Sequence, residues 1–241
     1  MKYAGHRGLA SLAPENTLSG VRMAAENGIN WIEMDVQLSR DHYPVIIHDE
    51  SVARCSNGLA NVRNLTWNEL QQLDFGRWFN TKFTDEKIPS LKQLLSECQS
   101  CNLSLNLELK LYPLDDTALL VEKVATQIDA CQFPLERIII SSFTHQALLD
   151  CRIRLPQIRL GHLWNKIPEN WQQQLNEFDA FSVHCNYLYL NKEMAHAIKD
   201  AGYELYTYTP NDPAQISQHE QWGVDMMISD CAQKLRAQSI K

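Results

Sequence analysis

Three carboxylates stand out by type and spacing: Glu33 and Asp35, two residues apart in one apolar run, and Glu108 in another. Side chains alternate across a β-strand, so Glu33 and Asp35 would face the same way, as would Glu108 and Lys110. Carboxylates that converge at one mouth repel each other unless a cation lies between them. An all-oxygen set suits Mg²⁺ or Ca²⁺ rather than zinc, which prefers histidine and cysteine. The pattern therefore predicts a divalent-cation site.

Two histidines and two cationic side chains accompany these carboxylates. His6 and His48 stand at the ends of apolar runs, and imidazoles titrate near neutral pH, which suits a general acid and a general base. Arg7 follows His6, and Lys110 closes the run that holds Glu108. The two cations do not balance the three carboxylates, but a divalent cation would make the site weakly positive. Such a site attracts a phosphodiester anion, which the metal-free site would repel.

The second and third apolar runs, residues 31–36 and 45–48, lie close together in the chain. A parallel crossover needs about a dozen residues, so these runs are predicted to form an antiparallel hairpin. With a two-residue tip at Asp41-His42, position 48 falls opposite position 35. His48 would then be returned to the carboxylates.

Short apolar runs alternate with helical patterns along the chain, which is typical of a parallel sheet with crossover helices. The predicted strands are 2–6, 31–36, 45–48, 103–109, 137–141, 158–163, 180–184, 204–208 and 225–228. The predicted helices are 17–27, 90–99, 117–131, 144–155, 170–176, 192–201 and 213–221. Without the returning hairpin arm, eight strands remain. This count favours one catalytic domain, residues 1–241, with a (β/α)8 TIM barrel whose active residues lie at the carboxyl ends of its strands. A doubly wound open sheet is the alternative.

The composition of the chain is that of a globular protein and argues against several classes of partner. The 241 residues are 44% hydrophobic and 21% charged, which suits a globular chain with a full core. The net charge of −7 argues against a nucleic-acid partner. The chain has seven cysteines, an odd number that does not suggest a disulfide framework, so we expect them to be reduced thiols. No stretch approaches the roughly 18 apolar residues of a membrane span, and the first residues lack the apolar core of a signal peptide. We therefore expect a cytoplasmic protein without stable membrane association.

Seven short motifs follow one another along the chain: His6-Arg7-Gly8, Pro14-Glu15-Asn16-Thr17, Glu33-x-Asp35, Pro44-Val45-Ile46-Ile47-His48-Asp49, Glu108-Leu109-Lys110, Ser141-Ser142-Phe143 and Gly223-Val224-Asp225. In this order they resemble the glycerophosphodiester phosphodiesterase family, and most closely its bacterial cytosolic type. The resemblance implies a TIM barrel with three sets of site residues: the metal ligands Glu33, Asp35 and Glu108, the acid/base pair His6 and His48, and the phosphate contacts Arg7 and Lys110.

The resemblance also implies a small insertion, residues 49–89, that follows the second barrel strand and its hairpin arm and caps the barrel mouth. Its apolar and aromatic residues suit a lid with a small core of its own: Trp67, Leu70, Leu73, Phe75, Trp78, Phe79 and Phe83.

Candidate substrate-lining residues are Phe143, His184 and Tyr208, which lie near predicted strand ends. Two stretches depart from the family pattern. Tyr208-Thr209-Pro210-Asn211 stands where the family often has Trp-Thr-x-Asn, and Ser229-Asp230 stands where it usually has Thr-Asp. Both departures bear on substrate detail rather than on the predicted chemistry.

The activity implied by the resemblance is metal-dependent hydrolysis of glycerophosphodiesters, such as glycerophosphocholine or glycerophosphoethanolamine, to sn-glycerol 3-phosphate and an alcohol. Two alternatives stay open: a lysophospholipase D or phospholipase C-like phosphodiesterase, and a catalytically idle barrel that binds phosphoesters. The sequence leaves undecided the preferred alcohol, the ion, the oligomeric state and which histidine is the acid. It also leaves undecided whether water attacks phosphorus directly or a glycerol hydroxyl first forms a cyclic phosphate.

Overall fold

The apolar runs of the sequence form a closed β-barrel in the computed structural model, which describes residues 1–239. Within that range nine strands occur: β1 (Lys2–Gly5), β2 (Trp31–Leu38), β3 (Pro44–Ile46), β4 (Ser104–Leu109), β5 (Ile138–Ser142), β6 (Arg159–Trp164), β7 (Ser182–Asn186), β8 (Glu204–Tyr208) and β9 (Met226–Ser229). Eight of them pair in parallel in the order β1-β2-β4-β5-β6-β7-β8-β9, and β9 pairs with β1. The predicted (β/α)8 TIM barrel is therefore confirmed. The open doubly wound sheet is excluded because the barrel has no free edge.

The helices are α1 (Leu18–Glu26), α2 (Trp67–Leu70), α3 (Leu91–Ser100), α4 (Thr117–Cys131), α5 (His145–Arg154), α6 (Trp171–Asn176), α7 (Lys192–Asp200), α8 (Ser217–Gln221) and α9 (Ala232–Ser239). All except α2, which lies in the insertion, and α9, which follows the last strand, connect barrel strands on the outside. Several begin at side-chain caps, such as Thr17, Ser90 and Asp116, which accept hydrogen bonds from first-turn amides. The predicted helix 213–221 is split into a 3₁₀ turn and α8. None of the helices within residues 1–239 has the length and apolar character that a bilayer crossing requires.

Two apolar clusters hold the barrel together. The larger lies between the outer faces of the strands and the helices, where Met34 and Leu107 pack with residues such as Leu94 and Val124. The smaller fills the barrel interior with side chains from four strands: Ala4, Ile139, Tyr206, Met226 and Ile228. Because these side chains fill the barrel, polar chemistry is confined to the carboxyl ends of its strands.

The hairpin formed by β2 and β3 differs from its predicted register by one residue. Val36 pairs with Ile46 and Leu38 with Pro44, so position 47, not 48, is opposite position 35. The physical reason is the loop, which has three residues, Arg40 to His42, between the paired Ser39 and Tyr43. Its third residue, His42, has φ 62°, the left-handed conformation that closes three-residue hairpin loops. A one-residue shift turns every side chain to the other face, so strand register does not bring His48 to the site.

The insertion after the hairpin builds a small core of its own, with α2 as its helix. Buried residues from the segment pack on Val45 and Ile47 of the hairpin arm: Val52, Cys55, Val62, Leu70, Phe75 and Ile88. Trp67 and Leu73 pack against this cluster, whereas Trp78 lies outside it and is 41% exposed. Beyond the core, Glu86 accepts hydrogen bonds from the amide and hydroxyl of Ser19. These contacts attach the insertion to the barrel beside its mouth.

Candidate active site

The three predicted metal ligands converge because β2 and β4 are neighbours. Asp35 pairs directly with Glu108 across the two strands, and Glu33 lies two residues earlier on the same face. Oxygen atoms of Glu33, Asp35 and Glu108 lie within 4.8 Å of one another, and all three residues are buried. We call these residues the carboxylate triad. The sequence argument from strand alternation therefore agrees with the observed geometry.

The electrostatics of the carboxylate triad favour a bound cation. Burial, with the neighbouring Asp35 and Glu108, raises the pKa of Glu33 well above its usual value. Burial and Asp35 likewise raise the pKa of Glu108 to about 7. Burial also opposes the ionisation of Asp35, but Lys110, Arg7 and other partners outweigh it and hold the pKa of Asp35 below its usual range. The metal-free triad therefore retains protons that a divalent cation would displace.

One further observation shows that the triad suits a cation. The Oε1 atom of Glu33 is buried and has no hydrogen-bond partner. Leaving a buried carboxylate oxygen unpaired is costly, whereas coordination would satisfy it. An all-carboxylate donor set also matches the preference of hard cations such as Mg²⁺ and Ca²⁺. The residues present therefore fit a divalent ion of that class.

A tight turn after β1 delivers Arg7 to the triad. Arg7 has φ 52° and Gly8 has φ 90°, and a Cβ on Gly8 would lie 2.9 Å from the backbone of Gly20. The turn points the Arg7 amide at Glu33 Oε2, 3.1 Å away. The guanidinium lies 2.7 Å from Glu15 Oε1 and 3.5 Å from Asp35 Oδ2. Arg7 thus presents a fixed cation at the edge of the triad.

Lys110 provides the second cation from the segment after β4. Its Nζ lies 2.7 Å from Glu108 Oε1 and 3.7 Å from Asp35 Oδ1. The same ammonium lies 5.7 Å from the ring centroid of Phe143. Arg7 and Lys110 therefore flank the carboxylates on two sides, as a phosphate-binding pair would.

His6 is oriented by residues that the sequence analysis did not identify as functional. Its Nδ1 lies 2.6 Å from Asp230 Oδ1, and Asn211 donates to the other oxygen of Asp230. Since an ionised carboxylate only accepts, this contact places the proton on Nδ1 and leaves Nε2 for the site. That Nε2 lies 3.8 Å from Glu33 Oε2. Asn211 and Asp230 each end one of the two stretches that were compared with the family pattern in the sequence. That comparison was the signal that could have identified them as functional residues.

His48 reaches the site by a bend after β3 rather than by strand register. Gln37 Nε2 donates to the carbonyl oxygens of Ile47, His48 and Asp49, at 3.0, 2.9 and 2.8 Å. The Tyr112 hydroxyl also donates to the His48 carbonyl, at 2.6 Å. The imidazole Nδ1 contacts Asp49 Oδ1 at 2.7 Å. Burial, with nearby cationic groups, lowers the pKa of His48 despite the opposing charge of Asp35.

These groups surround a cavity of about 490 Å³ at the carboxyl ends of the strands. His6, Arg7, His48, Glu33, Glu108 and Lys110 line its polar side. Other lining residues are largely apolar: Phe143, Leu163, Tyr187, Leu188, Tyr208 and Ile228. Phe143 and Tyr208 meet edge to face, 6.2 Å between centroids. The predicted lining residues Phe143 and Tyr208 thus lie on the cavity wall, although their contact with substrate stays a prediction.

His184, the third predicted lining residue, does not reach the cavity wall. Its side chain is fully buried inside the barrel, where Nε2 lies 2.9 Å from Ser182 Oγ. Gly161 on the neighbouring strand makes room for the ring, since a Cβ there would lie 2.4 Å from His184 Nε2. Burial lowers the pKa of His184 to about 3, so the ring is neutral. His184 is therefore a packing residue below the site.

Asn106 was missed by the sequence analysis although it lines the cavity. It is fully buried, pairs in register with Glu33, and neither amide atom of its side chain has a hydrogen-bond partner. Its place in the sequence, two residues before Glu108 on the inward face of β4, was the signal that could have identified it.

Comparison with known proteins agrees with this geometry. Residues 6–234 match the model of the glycerophosphoryl diester phosphodiesterase family. A glycerophosphodiester phosphodiesterase of Caldanaerobacter subterraneus subsp. tengcongensis is 34% identical over 230 residues, covering 93% of this chain and 92% of the relative. One from Bacillus altitudinis is 30% identical over 236 residues, covering 95% and 94%.

Among solved structures, an Oleispira antarctica phosphodiesterase in complex with the product sn-glycerol-3-phosphate superposes with a TM-score of 0.96 at 30% identity. The superposition covers 100% of this chain and 97% of the other. The seven motifs, the closed barrel and these relatives agree with one another. The chain therefore belongs to the glycerophosphoryl diester phosphodiesterase family, and its enzyme class is that of a glycerophosphodiester phosphodiesterase.

Proposed function

We propose that this protein hydrolyses small glycerophosphodiesters, such as glycerophosphocholine or glycerophosphoethanolamine, to sn-glycerol 3-phosphate and an alcohol, and that it requires Mg²⁺ or Ca²⁺. The observation that carries the proposal is the convergence of the carboxylate triad, two histidines and two cations on one cavity. The related Oleispira antarctica phosphodiesterase, with sn-glycerol-3-phosphate as its product, supports the substrate class.

Glu33, Asp35 and Glu108 would hold the cation. When bound, a divalent ion of this kind polarises a phosphoryl oxygen and offsets charge that develops on it. Arg7 and Lys110 would bind the remaining phosphate oxygens, because both cations flank the triad and face the same cavity. Their own carboxylate partners hold them in place before substrate arrives, which lowers the entropy cost of binding.

His6 and His48 would carry out the proton transfers. They approach the cavity from different elements, one after β1 and the other after β3. In-line displacement at phosphorus needs a base on the attacking side and an acid on the leaving side, which two separated imidazoles can supply. Each ring is held through Nδ1 by a carboxylate, so Nε2 would be the atom that exchanges the proton.

Turnover of glycerophosphocholine, followed as release of sn-glycerol 3-phosphate and choline, tests this proposal. We expect activity with added Mg²⁺ or Ca²⁺, loss of activity in EDTA, and recovery when the ion is restored. Turnover that survives exhaustive chelation would contradict the metal requirement. Binding of the diester without turnover would instead indicate the idle barrel.

A lysophospholipase D is the second candidate function, and one observation favours it. Phe143 and Leu188 line the cavity yet are 47% and 69% exposed, and neighbouring Tyr189 is 55% exposed. An apolar rim of this kind could receive an acyl chain. Comparing kcat/KM for lysophosphatidylcholine and glycerophosphocholine below the micellar concentration distinguishes the two substrates.

The insertion, residues 49–89, is proposed to cap one side of the mouth as part of the same catalytic domain. Its separate core and its contacts beside the rim support this role. The cavity wall itself comes from the barrel, the hairpin arm and the loops after the strands. A cytoplasmic location stays a prediction, which cell fractionation checks.

A further inference from the structure

One side chain of the insertion joins two parts of the site that lie on separate elements. Arg54 contacts Asp49 through Nε at 2.6 Å and Nη2 at 3.0 Å. It contacts Glu15 through Nη1 at 2.7 Å and Nη2 at 2.8 Å. The guanidinium therefore makes a two-point contact with each of two carboxylates, and all four carboxylate oxygens are engaged.

Each of these carboxylates in turn holds a group that faces the cavity. Asp49 Oδ1 lies 2.7 Å from His48 Nδ1, and Glu15 Oε1 lies 2.7 Å from Arg7 Nη1. The contacts form a continuous series from His48 through Asp49, Arg54 and Glu15 to Arg7. His48 follows β3, whereas Arg7 follows β1, and these two strands are joined through β2 rather than paired with each other.

We infer that Arg54 is a positioning residue that sets the His48 imidazole and the Arg7 guanidinium in one mutual geometry. The inference rests on the proposed function, because it takes His48 as a proton-transfer group and Arg7 as a phosphate contact. It gives the insertion a direct part in the chemistry of the barrel, separate from any covering role.

The chemistry of the guanidinium suits this task. Without Arg54, the carboxylates of Asp49 and Glu15 would face each other without a cation between them. A planar fork matches two carboxylates in fixed directions, whereas an ammonium is a single point charge and cannot reproduce both two-point contacts. Burial opposes the ionisation of Glu15, but Arg54 and Arg7 outweigh it and lower the pKa of this carboxyl. Arg54 and His48 likewise lower the pKa of Asp49, so both carboxylates remain ionised acceptors at neutral pH.

The location of Arg54 separates its positioning effect from global stability. Its side chain is 45% exposed, and exposed ion pairs add little to the free energy of unfolding. The neighbouring Val52 and Cys55 are buried in the core of the insertion and anchor the backbone that carries Arg54. Loss of the guanidinium should therefore loosen His48 and Arg7 without unfolding either the insertion or the barrel.

The first test compares Arg54→Ala and Arg54→Lys with the wild-type protein on glycerophosphocholine. Partners that orient site residues typically contribute about 10- to 100-fold, so we expect kcat/KM to fall by that amount in Arg54→Ala and nearly as far in Arg54→Lys. Arg77→Ala is the matched control, since Arg77 is an exposed arginine of the insertion whose side chain has no ion pair among residues 1–239. It should retain wild-type activity, and full activity of Arg54→Ala would overturn the inference.

Two single-contact variants separate positioning from a merely structural role. Asp49→Asn breaks the series on the His48 side and should lower kcat, whereas Glu15→Gln breaks it on the Arg7 side and should raise KM. Arg54→Ala should combine both effects. If all three variants lower the apparent kcat and leave KM unchanged, as a common loss of folded protein would, the inference is wrong. These variants also test it if Arg54→Ala does not fold.

A double-mutant cycle between Arg54→Ala and His48→Ala completes the test. If Arg54 acts through His48, its removal costs much less in the His48→Ala background, because residues that act as a unit are not additive. If Arg54→Ala lowers kcat/KM by the same factor in both backgrounds, the inference is wrong but the proposed function still stands. Full activity of His48→Ala itself would overturn the proposed function, and these two outcomes are distinguishable in the same set of proteins.

Discussion

The two histidines of the site share one local arrangement but have different support. Each Nδ1 contacts a carboxylate, Asp230 for His6 at 2.6 Å and Asp49 for His48 at 2.7 Å. The His6 side is built from the barrel, since Asp230 follows β9 and is held by Asn211 after β8. The His48 side depends on the insertion, whose Arg54 holds Asp49. The orientation of the His6 ring thus depends on residues of the barrel, whereas that of the His48 ring depends also on a residue of the insertion.

The carboxylate triad belongs to both halves, so its loss should have the largest effect. Metal-assisted stabilisation contributes several kcal/mol, which corresponds to about 10³-fold or more in rate. We expect Glu33→Ala, Asp35→Ala and Glu108→Ala each to lose at least that much turnover while the barrel remains folded by circular dichroism. Isothermal titration with Mg²⁺ should show weakened binding in each. A Glu33→Ala protein with full activity after chelation would remove the metal from the mechanism.

The second prediction compares the histidines directly. His6→Ala and His48→Ala should each reduce turnover by about 10²- to 10⁴-fold, the usual contribution of a positioned acid or base. Metal and product binding should persist, because neither imidazole belongs to the triad. A nitrophenyl diester needs no general acid, so it should rescue one variant far more than the other. Equal rescue of both variants, or of neither, would contradict the division of roles.

Replacing residues 50–88 by a short linker would remove Arg54 and with it the support of His48, while the contact of His6 with Asp230 stays intact. We expect the barrel to fold, with some loss of stability because Val45 and Ile47 lose their cover. Turnover should fall at least about 10-fold, as for other losses of orienting partners. Thermal unfolding and steady-state kinetics measure the two effects. If the variant does not fold, the segment is part of the core of the domain.

Asp230→Asn is the corresponding change on the His6 half. An amide at this position can donate as well as accept, so it no longer fixes the proton on Nδ1 of His6. We expect a loss of about 10- to 100-fold in kcat, as for other orienting partners. Unlike the linker variant, this one should leave the stability of the hairpin and the insertion unchanged. Wild-type kcat in Asp230→Asn would show that the barrel orients His6 without its carboxylate.

The last prediction concerns the pH dependence of cation binding by the triad, which is common to both halves. Without a cation, the pKa of Glu33 is well above its usual value and that of Glu108 is about 7, so protonation of the triad competes with cation binding near and below neutral pH. Cation binding displaces these protons, so affinity should rise with pH, by up to about tenfold per unit for each proton released. Calorimetric titrations at pH 6 and pH 8 in two buffers measure both affinity and proton release. Affinity that does not change with pH would show that the triad is already ionised.

The parts of the site that could be predicted from sequence are those governed by local rules. Alternation along a strand places Glu33 with Asp35, and parallel neighbours bring Glu108 beside them. The closed barrel follows from the number and spacing of the apolar runs. These arguments need only the nearest elements in the chain.

The parts that could not be predicted depend on distant partners or on single backbone angles. Asp230 lies 224 residues from His6 in the sequence, and no local pattern joins them. The register of the hairpin depended on the left-handed conformation of His42. The burial of His184 depends on the absence of a side chain at Gly161 on another strand. Each of these features is fixed by tertiary packing rather than by propensity.

Closure of the barrel also gives the site an order of assembly. β9 is the ninth strand along the chain, and its pairing with β1 brings Asp230 to His6. During synthesis, His6 leaves the ribosome more than two hundred residues before its partner. Contacts so distant in sequence form late, because closing long loops costs entropy before any contact is gained. The orientation of His6 by Asp230 therefore requires the last strand of the barrel, whereas Glu33, Asp35 and Glu108 all lie on strands that precede β5 in the chain.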